Sequence, residues 1–379
     1  MIGTGARSHA PPGAARASAG AGTGAGSGSQ TRTGTDALVM RDVRVWLPSG
    51  KGQLKIIRNA TFTVGRGQVV AIAGESGSGK STSIMAALRL LPPGARIEGQ
   101  ILLDGVDVLA MPRKRMRELR AQRARLVFQD PWRALHPIKK IGTQLVESAR
   151  TADPTLSKAA ARELATEMLA TVGIPEPKAR MASYSHEISG GQAQRIVIAM
   201  ALVARPAVLF CDEPTTALDV TIQAQILELL RRLSAEFGIS IVIATHDLDV
   251  IADVTDRLVV MYAGQVVEEG PTAEVLAGPR HPYTWALLRA APGAPREGNR
   301  LQTIEGRPPA PSEELTGCAF APRCASALPV CRTVLPEPRL VAPGRVSACI
   351  RAAGYGPLAP RGSSENEVDS PTMTLEIAR

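Results

Sequence analysis

The sequence has few aromatic residues, since Phe, Trp and Tyr together make up 3% of its 379 residues. Proteins that bind single-stranded nucleic acid use aromatic side chains as platforms on which bases stack. The formal net charge is +9, but the basic residues are scattered along the chain. The denser basic stretch at residues 113–125 is interpreted as a solvated helix face or a contact for an acidic partner. The composition therefore does not favour binding of nucleic acid.

Long hydrophobic runs are also lacking. No run reaches the roughly 18 uninterrupted apolar residues of a membrane-spanning helix. The strongest candidate, residues 196–210, is interrupted by Arg205 and Pro206. Residues 1–36 have no apolar signal core and are dominated by Gly, Ala, Ser and Thr. We therefore expect a cytoplasmic chain that does not cross the membrane by itself and that begins with a disordered tail.

One glycine-rich stretch is informative about function. The stretch GESGSGKS at residues 74–81 follows a short apolar run and precedes a helical pattern. A glycine loop at a helix start binds anions, because the first N–H groups of the helix lack partners and the helix dipole adds positive charge. The spacing predicts a phosphate-binding loop, in which Lys80 reaches the β- and γ-phosphates and the Ser81 hydroxyl ligates Mg²⁺. The candidate nucleotide-binding residues here are Gly74, Ser76, Gly77, Ser78, Gly79, Lys80, Ser81 and Thr82.

Strand and helix patterns alternate through the middle of the chain, which predicts an α/β fold with a largely parallel sheet. Residues 37–280 form the predicted nucleotide-binding domain, and a helical insert occupies about residues 131–185. The stretch QILLDGVDV at residues 100–108 is typical of a hairpin. Residues 281–352 are rich in Pro and Cys with little periodicity, and residues 353–379 are predicted to be disordered.

Two carboxylates end another apolar strand pattern. Residues 208–212 are VLFCD, and Glu213 and Pro214 follow them. Beside a phosphate loop, Asp212 suits Mg²⁺ binding, and Glu213 can polarise the water that attacks the γ-phosphate. The alternative interpretation is that both side chains merely end a strand in solvent.

Two further polar residues, His246 and Gln129, also end strand patterns. Ligands of open α/β sheets bind beyond the carboxyl ends of the strands. Gly74, Asp212 and His246 should therefore converge if their strands are neighbours. His246 is a candidate contact of the γ-phosphate, and Gln129 is a candidate ligand of Mg²⁺ or of the attacking water. Taken alone, either residue would be an ordinary structural side chain.

A second glycine-rich helix start consists of Ser189, Gly190, Gly191 and Gln192. A serine and two glycines at a helix start again suit an anion. One nucleotide site does not need two such loops separated by the helical insert. We therefore expect the second loop to serve a nucleotide that is held by another subunit.

As a set, these motifs resemble the ATP-binding subunits of ABC transporters. The resemblance covers about residues 38–280 and rests on GESGSGKS, VFQDP, ISGGQ, VLFCDEP, ALD and ATHD, which occur in the family's order. It implies a P-loop NTPase fold of the ABC type, with a mostly parallel core sheet, an antiparallel β subdomain, a helical insert and a C-terminal extension. It also implies hydrolysis of ATP with Mg²⁺ by two domains packed head to tail. Ile188 stands where the family's signature usually has Leu, which is a conservative departure.

The resemblance implies roles for further residues. Asp219, in the ALD stretch, would lie at the seam between the two domains. Trp46 falls where the family places an aromatic side chain that stacks on adenine. The alternative for Trp46 is a tryptophan of the core or of an edge strand. Glu213 is intact, which implies that this chain's own site is competent for hydrolysis.

A finer resemblance, centred on the C-terminal third, is to the oligopeptide/dipeptide importer subfamily, which also includes nickel importers. It rests on VFQDPWRALHP, EPTTALDVTIQAQIL, DRLVVMYAGQVVEEG, HPYTWALL and GCAFAPRC. It implies ATP-driven peptide uptake with a second nucleotide-binding subunit, two membrane-spanning permease subunits and an extracellular solute-binding protein. The chain would lie peripherally on the cytoplasmic face of the plasma membrane. The alternatives are import of nickel or another small solute, and a soluble ABC ATPase without a transport role.

Four of the five cysteines, Cys318, Cys324, Cys331 and Cys349, lie in the Pro-rich region, whereas Cys211 lies in a predicted core strand. The spacings of the four cysteines in the Pro-rich region do not match the C-x-x-C pairs of most zinc sites. A metal would stabilise a segment with so little hydrophobic core, and four thiolates suit an iron–sulfur cluster or zinc. Some relatives with this region are thought to carry a four-iron cluster. Three alternatives stay open, namely a cluster, zinc and unconnected reduced thiols.

Overall fold

The computed structural model describes residues 36–50, 52–216, 218–291 and 303–352. The two predicted disordered tails, residues 1–36 and 353–379, lie outside these ranges, except that Asp36 starts the first strand. No helix among the described residues combines the length and the apolar character that crossing a membrane requires.

The strands of the described residues belong to one sheet system. In chain order they are β1 (Asp36–Ser49), β2 (Gly52–Gly65), β3 (Val69–Ala73), β4 (Arg96–Leu103), β5 (Val106–Asp107), β6 (Ala124–Val127), β7 (Val208–Asp212), β8 (Ser240–Thr245), β9 (Arg257–Tyr262), β10 (Gln265–Pro271), β11 (Arg339–Ala342) and β12 (Arg345–Ser347). The main path through the sheet is β5-β4-β1-β2-β10-β9-β3-β8-β7-β6.

The parallel part of the sheet is its buried centre. Strands β9, β3, β8, β7 and β6 are adjacent in that order, and each neighbouring pair is parallel. Every residue of β3 and β8 is buried, which explains why both strands are continuous apolar runs in the sequence. Successive side chains of β3 face opposite sides, so Ala71 and Val70 belong to different hydrophobic cores.

The antiparallel part of the sheet comprises β1, β2, β4 and β5. Strand β1 pairs with β2 on one side and with β4 on the other. The short β5 pairs with the end of β4 around Asp104 and Gly105, as the hairpin pattern predicts. The predicted α/β fold, with a mostly parallel core and an antiparallel subdomain, is therefore confirmed.

Helices cover both faces of the parallel strands and fill the insert. They are α1 (Lys80–Ala87), α2 (Arg113–Gln122), α3 (Pro131–Ala134), α4 (Ile141–Ala152), α5 (Lys158–Thr171), α6 (Pro177–Arg180), α7 (Gly190–Leu202), α8 (Val220–Phe237), α9 (Thr272–Ala277) and α10 (Pro282–Arg289). Helices α3 to α6 lie within residues 131–185, the range of the predicted helical insert.

Local sequence explains how the longer helices begin and end. Helix α5 begins after Ser157, whose hydroxyl accepts a hydrogen bond from the backbone N–H of Ala160. Helix α8 begins after Asp219, which caps the N–H of Ile222 in the same way. It ends at Gly238, whose positive φ of 64° favours glycine.

The described residues after position 303 pack on the nucleotide-binding domain. Strand β12 pairs with β10, and the guanidinium of Arg345 donates a 2.9 Å hydrogen bond to the buried carboxylate of Glu268. Arg58 of β2 donates hydrogen bonds to the backbone oxygens of Ala310 (3.1 Å) and Glu313 (2.7 Å). These polar contacts explain how a segment with weak hydrophobic periodicity is ordered against the domain.

Candidate active site

Three parallel strands bring the predicted site residues to one edge of the sheet. The phosphate loop follows β3, Asp212 ends β7, and His246 follows β8. Strand β8 lies between β3 and β7 and is hydrogen-bonded to both. Because all three strands run in the same direction, their carboxyl ends meet at this edge.

The phosphate loop needs glycine at specific positions. Gly74 has a φ of 153°, and a Cβ at this position would lie 2.2 Å from the backbone oxygen of Met261. Gly79 precedes α1 with a φ of 108°, a backbone conformation that other residues rarely adopt. The loop can therefore follow this path only without side chains at these positions.

Lys80 is the buried cation of the site. Its ammonium group donates hydrogen bonds to the backbone oxygens of Gly74 (2.8 Å) and Glu75 (3.1 Å). Burial lowers the pKa of Lys80, and the negative charges of Glu213, Asp212 and Glu75 oppose that shift. The ammonium thus lies among three carboxylates and beside the loop carbonyls.

Ser81 and Asp212 form the first half of a candidate Mg²⁺ site. The Ser81 hydroxyl donates a 2.7 Å hydrogen bond to the Oδ1 atom of Asp212. Burial raises the pKa of Asp212, whereas the hydrogen bond from Ser81 and the charge of Lys80 lower it. A hydroxyl and a carboxylate are oxygen ligands of the kind that Mg²⁺ takes in proteins, so the residues present fit this ion.

Glu213 is held in a strained backbone conformation by its neighbours. Its φ is 46°, which is uncommon for a residue other than glycine, and its N–H donates to the backbone oxygen of Ala244. Its Oε2 atom accepts hydrogen bonds from Gln129 Nε2 and Thr216 Oγ1, both 3.0 Å long. Its Oε1 atom lies 3.3 Å from His246 Nδ1. The structure therefore brings the carboxylate, Gln129 and His246 together, and it adds Thr216, which the sequence analysis missed.

The segment of residues 189–192 forms the start of α7. The Ser189 hydroxyl accepts from the N–H of Gln192, and the Gln192 side chain accepts from the N–H of Ser189. Gly191 packs against Ile222 of α8. In the described part of the chain, no hydrogen bond joins this segment to the phosphate loop. Asp219 is the cap of α8 and directly follows Leu218, whose side chain lies near Gly190.

Trp46 lies on the antiparallel part of the sheet. It pairs with Lys55 of β2 and with Arg96 of β4. The Lys55 ammonium lies 5.3 Å from the centre of the indole ring, and the Arg96 guanidinium carbon lies 4.7 Å from it. Lys55 also lines a cavity together with residues 75–78 of the phosphate loop. The partly exposed ring therefore lies beside the wall of that cavity, and it is not a core residue.

The four cysteines of the C-terminal region line one cavity whose surface is almost entirely apolar. These residues are Cys318, Cys324, Cys331 and Cys349. Burial raises the pKa of Cys324 to about 11 and also raises the pKa values of Cys318 and Cys349. Within the described ranges, however, no three His, Cys, Asp or Glu side chains are arranged to hold a single metal ion.

Cys211 belongs to a different environment. It lies in β7 and is completely buried, and burial raises its pKa. This thiol is a small apolar side chain of the core, as its position in the sequence predicts.

The fold and the site define a nucleoside triphosphatase with a phosphate-binding loop. The sequence matches the ABC transporter family over residues 57–216 and the oligopeptide/dipeptide transporter C-terminal region over residues 267–331. The oligopeptide transport ATP-binding protein OppD of Salmonella typhimurium is 42% identical over 314 residues, which are 83% of this chain and 93% of that protein. OppD of Bacillus subtilis is 44% identical over 299 residues, which are 78% of this chain and 83% of that protein.

A solved structure has the same fold. It is a dimeric ATP-binding cassette in a post-hydrolysis state with ADP and Pi, with 27% sequence identity and a TM-score of 0.56. The alignment covers 62% of this chain and 98% of that cassette. The chain therefore belongs to the family of ABC transporter ATP-binding proteins, and it is an ATPase of that family.

Proposed function

We propose that this chain is the ATP-hydrolysing subunit of an importer for oligopeptides or dipeptides. The observation that carries this proposal is the site at one sheet edge, where Asp212 and Glu213 lie beside Lys80 and Ser81 of the phosphate loop. The relatives named for oligopeptide transport and the matched C-terminal region support peptides as the solute. Import of nickel or of another small solute is the alternative.

The proposed ATP site uses both parts of the sheet. The phosphate loop would bind the triphosphate of ATP, and Trp46 would stack on its adenine. Ser81, Asp212 and Gln129 would hold Mg²⁺, which neutralises the negative charge of the β- and γ-phosphates when it is bound. Lys80 would donate hydrogen bonds to the same phosphates in place of the loop carbonyls that it now contacts.

Glu213 is the proposed general base. A water oxygen forms a bond to the γ-phosphorus, the bond from this phosphorus to the bridging oxygen of ADP breaks, and Glu213 receives the water proton. The hydrogen bonds from Gln129 and Thr216 hold one oxygen of the carboxylate in place. His246, beside the other oxygen, is the proposed contact of the γ-phosphate.

A second nucleotide-binding subunit, either a copy of this chain or a relative, would complete the site. Residues 189–192 would bind the phosphates of the partner's ATP, and Asp219 would lie at the seam. The support comes from Gly190, where a Cβ would meet only Leu218 at an ordinary contact distance of 3.7 Å. No described residue thus requires glycine there, whereas close approach of an external phosphate would.

The membrane-spanning partners would bind near Gln129. Phe128, Trp132 and Ile138 follow one another along this segment, with exposures of 42%, 45% and 81%. A group of exposed apolar side chains is typical of a surface that contacts another protein. We propose that two permease subunits bind here and keep the chain on the cytoplasmic face of the membrane. An extracellular solute-binding protein would deliver the solute to the permease subunits, and nucleic acid is not a proposed partner.

The C-terminal cavity is the proposed site of an iron–sulfur cluster. The four thiols line one apolar cavity, and thiolates are ligands of both iron–sulfur clusters and zinc. Zinc and unconnected reduced thiols are the alternatives. Cys318, Cys324, Cys331 and Cys349 would be its ligands. A bound cluster would add folding energy to this segment.

The cluster is tested by measuring iron and acid-labile sulfide in anaerobically purified protein. Cys324→Ser should lower both contents, whereas Cys211→Ala, which alters a thiol outside the cavity, should leave the iron-to-protein ratio unchanged. Absence of iron and sulfide from the anaerobic protein, or zinc in their place, would rule out the cluster.

The importer assignment is tested by uptake of labelled dipeptides and oligopeptides, with Ni²⁺ measured in parallel. Cells that lack other peptide transporters would carry the native chain or the Glu213→Gln variant. If cells with the variant lose peptide uptake and cells with the native chain keep it, the proposal is supported. If cells with the variant lose only Ni²⁺ uptake, the alternative is supported. If the variant imports every peptide and Ni²⁺ as well as the native chain does, the chain is not an importer subunit for these solutes.

A further inference from the structure

The C-terminal region contacts the phosphate loop directly, at Glu75. This residue is the second of the loop, and its backbone oxygen accepts a hydrogen bond from the Lys80 ammonium. Its N–H donates a 2.8 Å hydrogen bond to the hydroxyl of Tyr283, which lies in α10 and is completely buried. Helix α10 thus fixes the backbone of the loop at the residue that also orients Lys80.

Arg323 holds the side chain of the same residue. Its Nη1 atom lies 2.7 Å from Oε2 of Glu75, and its Nη2 atom lies 3.0 Å from Oε1. Two parallel charge-assisted hydrogen bonds of this kind fix the relative orientation of both groups. The Arg323 side chain is only 4% exposed, so water does not compete for these bonds as it would at the surface.

Arg323 is itself rigidly placed. Its Nε and Nη2 atoms donate to the backbone oxygens of Glu305 (2.9 Å) and Ile304 (3.0 Å). Its guanidinium also lies near the rings of Tyr262 and Phe320. A guanidinium with partners on several sides cannot follow a moving carboxylate, so it restricts where Glu75 can go.

From these contacts we infer that Arg323 and Tyr283 are positioning residues of the ATP site. They hold Glu75, and through it the first half of the phosphate loop and Lys80, in the geometry that binds phosphates. Tyr283 and Arg323, which follow residue 280, therefore support the nucleotide site. This inference rests on the proposed assignment of the loop and Lys80 to ATP binding.

A residue that only anchors the C-terminal region would make the same hydrogen bonds as a positioning residue. The two roles differ in how loss of the side chain changes the KM for ATP. If Arg323 only anchored the C-terminal region, its loss would lower the fraction of protein that is folded. The molecules that do fold would keep the wild-type KM for ATP. If it positions the loop, the KM for ATP must rise in protein that is fully folded, because small displacements of a binding group weaken the contacts to the phosphates.

The test uses the full chain in the assembled transporter, with ATP titrated in a turnover assay and ATP binding measured separately on the isolated chain. Arg323→Met removes the guanidinium, and Tyr283→Phe removes only the hydroxyl and keeps the ring. We expect each to raise the KM and the Kd for ATP at least about fivefold, with a smaller change in kcat. Arg323→Lys, which keeps the charge but not the paired geometry, should restore part of the affinity.

Two control variants distinguish failure of the positioning role from failure of the proposed ATP site. Lys80→Ala must abolish tight ATP binding if the phosphate loop is the ATP site at all. Arg332→Met, the same substitution at an exposed position of the same region, should leave KM and Kd unchanged. Wild-type values of KM and Kd in Tyr283→Phe and in folded Arg323→Met, with tight ATP binding lost in Lys80→Ala, would overturn the positioning role and leave the ATP site intact. If Arg323→Met does not fold, Tyr283→Phe alone decides between the two roles.

Discussion

Among the described residues, two helices begin at glycine-rich segments: α1 follows residues 74–79, and α7 begins within residues 189–192. In the first, a buried lysine, a hydroxyl and three carboxylates of the same chain surround the helix start. In the second, the described hydrogen bonds are those of the helix cap itself. The first helix start therefore has the groups of a phosphate site within one chain. The second helix start has the glycines and the cap of such a site, without a cation or carboxylate hydrogen-bonded to it among the described residues.

The glycines differ in the same way. A methyl group at Gly74 would overlap the backbone oxygen of Met261, so the fold of this chain itself requires glycine. A methyl group at Gly190 would make an ordinary contact with Leu218. Among the described residues, no close contact requires glycine at position 190. Close approach of a phosphate from outside the chain would require it, and we therefore propose that this segment binds the nucleotide of a partner subunit.

The largest expected effect is on the chemical step within the first site. Glu213→Gln removes the proposed proton acceptor but keeps the size of the side chain, so ATP turnover should fall on the order of 100-fold or more. ATP binding should persist, which an equilibrium titration with the purified variant would measure. Glu228→Gln, at an exposed position of α8, is the matched control and should retain full turnover. Substantial turnover by Glu213→Gln would remove Glu213 from the role of general base.

A methyl group at the two glycine positions should affect stability very differently. Gly74→Ala should lower the free energy of unfolding by at least about 3 kcal/mol, because it combines a strained φ with overlap of backbone atoms. Gly190→Ala should change the free energy of unfolding by less than about 1 kcal/mol, since alanine is the better helix former. Urea unfolding of both variants measures the difference, and equal destabilisation would contradict the distinction between the two loops.

The expected loss of stability at a helix cap is modest. Ser189→Ala should cost about 1 kcal/mol through loss of the bond to the N–H of Gln192. Ser157→Ala, which removes the corresponding bond at the start of α5, should cost a similar amount. Only Ser189→Ala should also lower turnover in the assembled transporter. A similar loss of turnover in both variants would mean that Ser189 acts only as a cap.

Local sequence predicts the site residues because each follows its own strand. The phosphate loop, Asp212 and His246 come directly after apolar runs, and neighbouring parallel strands then place them at one edge. The four cysteines were singled out by composition alone, and the structure adds that they line one cavity.

Contacts between distant positions are not contained in local patterns. Arg323 and Glu75 are 248 positions apart, and neither lies in a periodic segment that would indicate the other. Thr216 reaches Glu213 only because the backbone turns at a positive φ, which the sequence of this turn does not predict. Helix α10 is similarly missed, because Pro282 and the short length of the helix weaken its periodic signal. The first half of β2 is similarly missed, because its residues are mostly half-buried or exposed and lack regular alternation.

The central claim is that each ATP lies between the phosphate loop of one subunit and residues 189–192 of its partner. The most direct test compares two quantities for Gly190→Ala: the affinity of the isolated chain for ATP, and ATP turnover of the assembled transporter. We expect an unchanged affinity, within about twofold, and a loss of turnover of at least about tenfold, because a displaced phosphate contact slows the reaction. An affinity that falls in parallel with turnover would mean that the segment serves the nucleotide of its own chain, and it would contradict the claim.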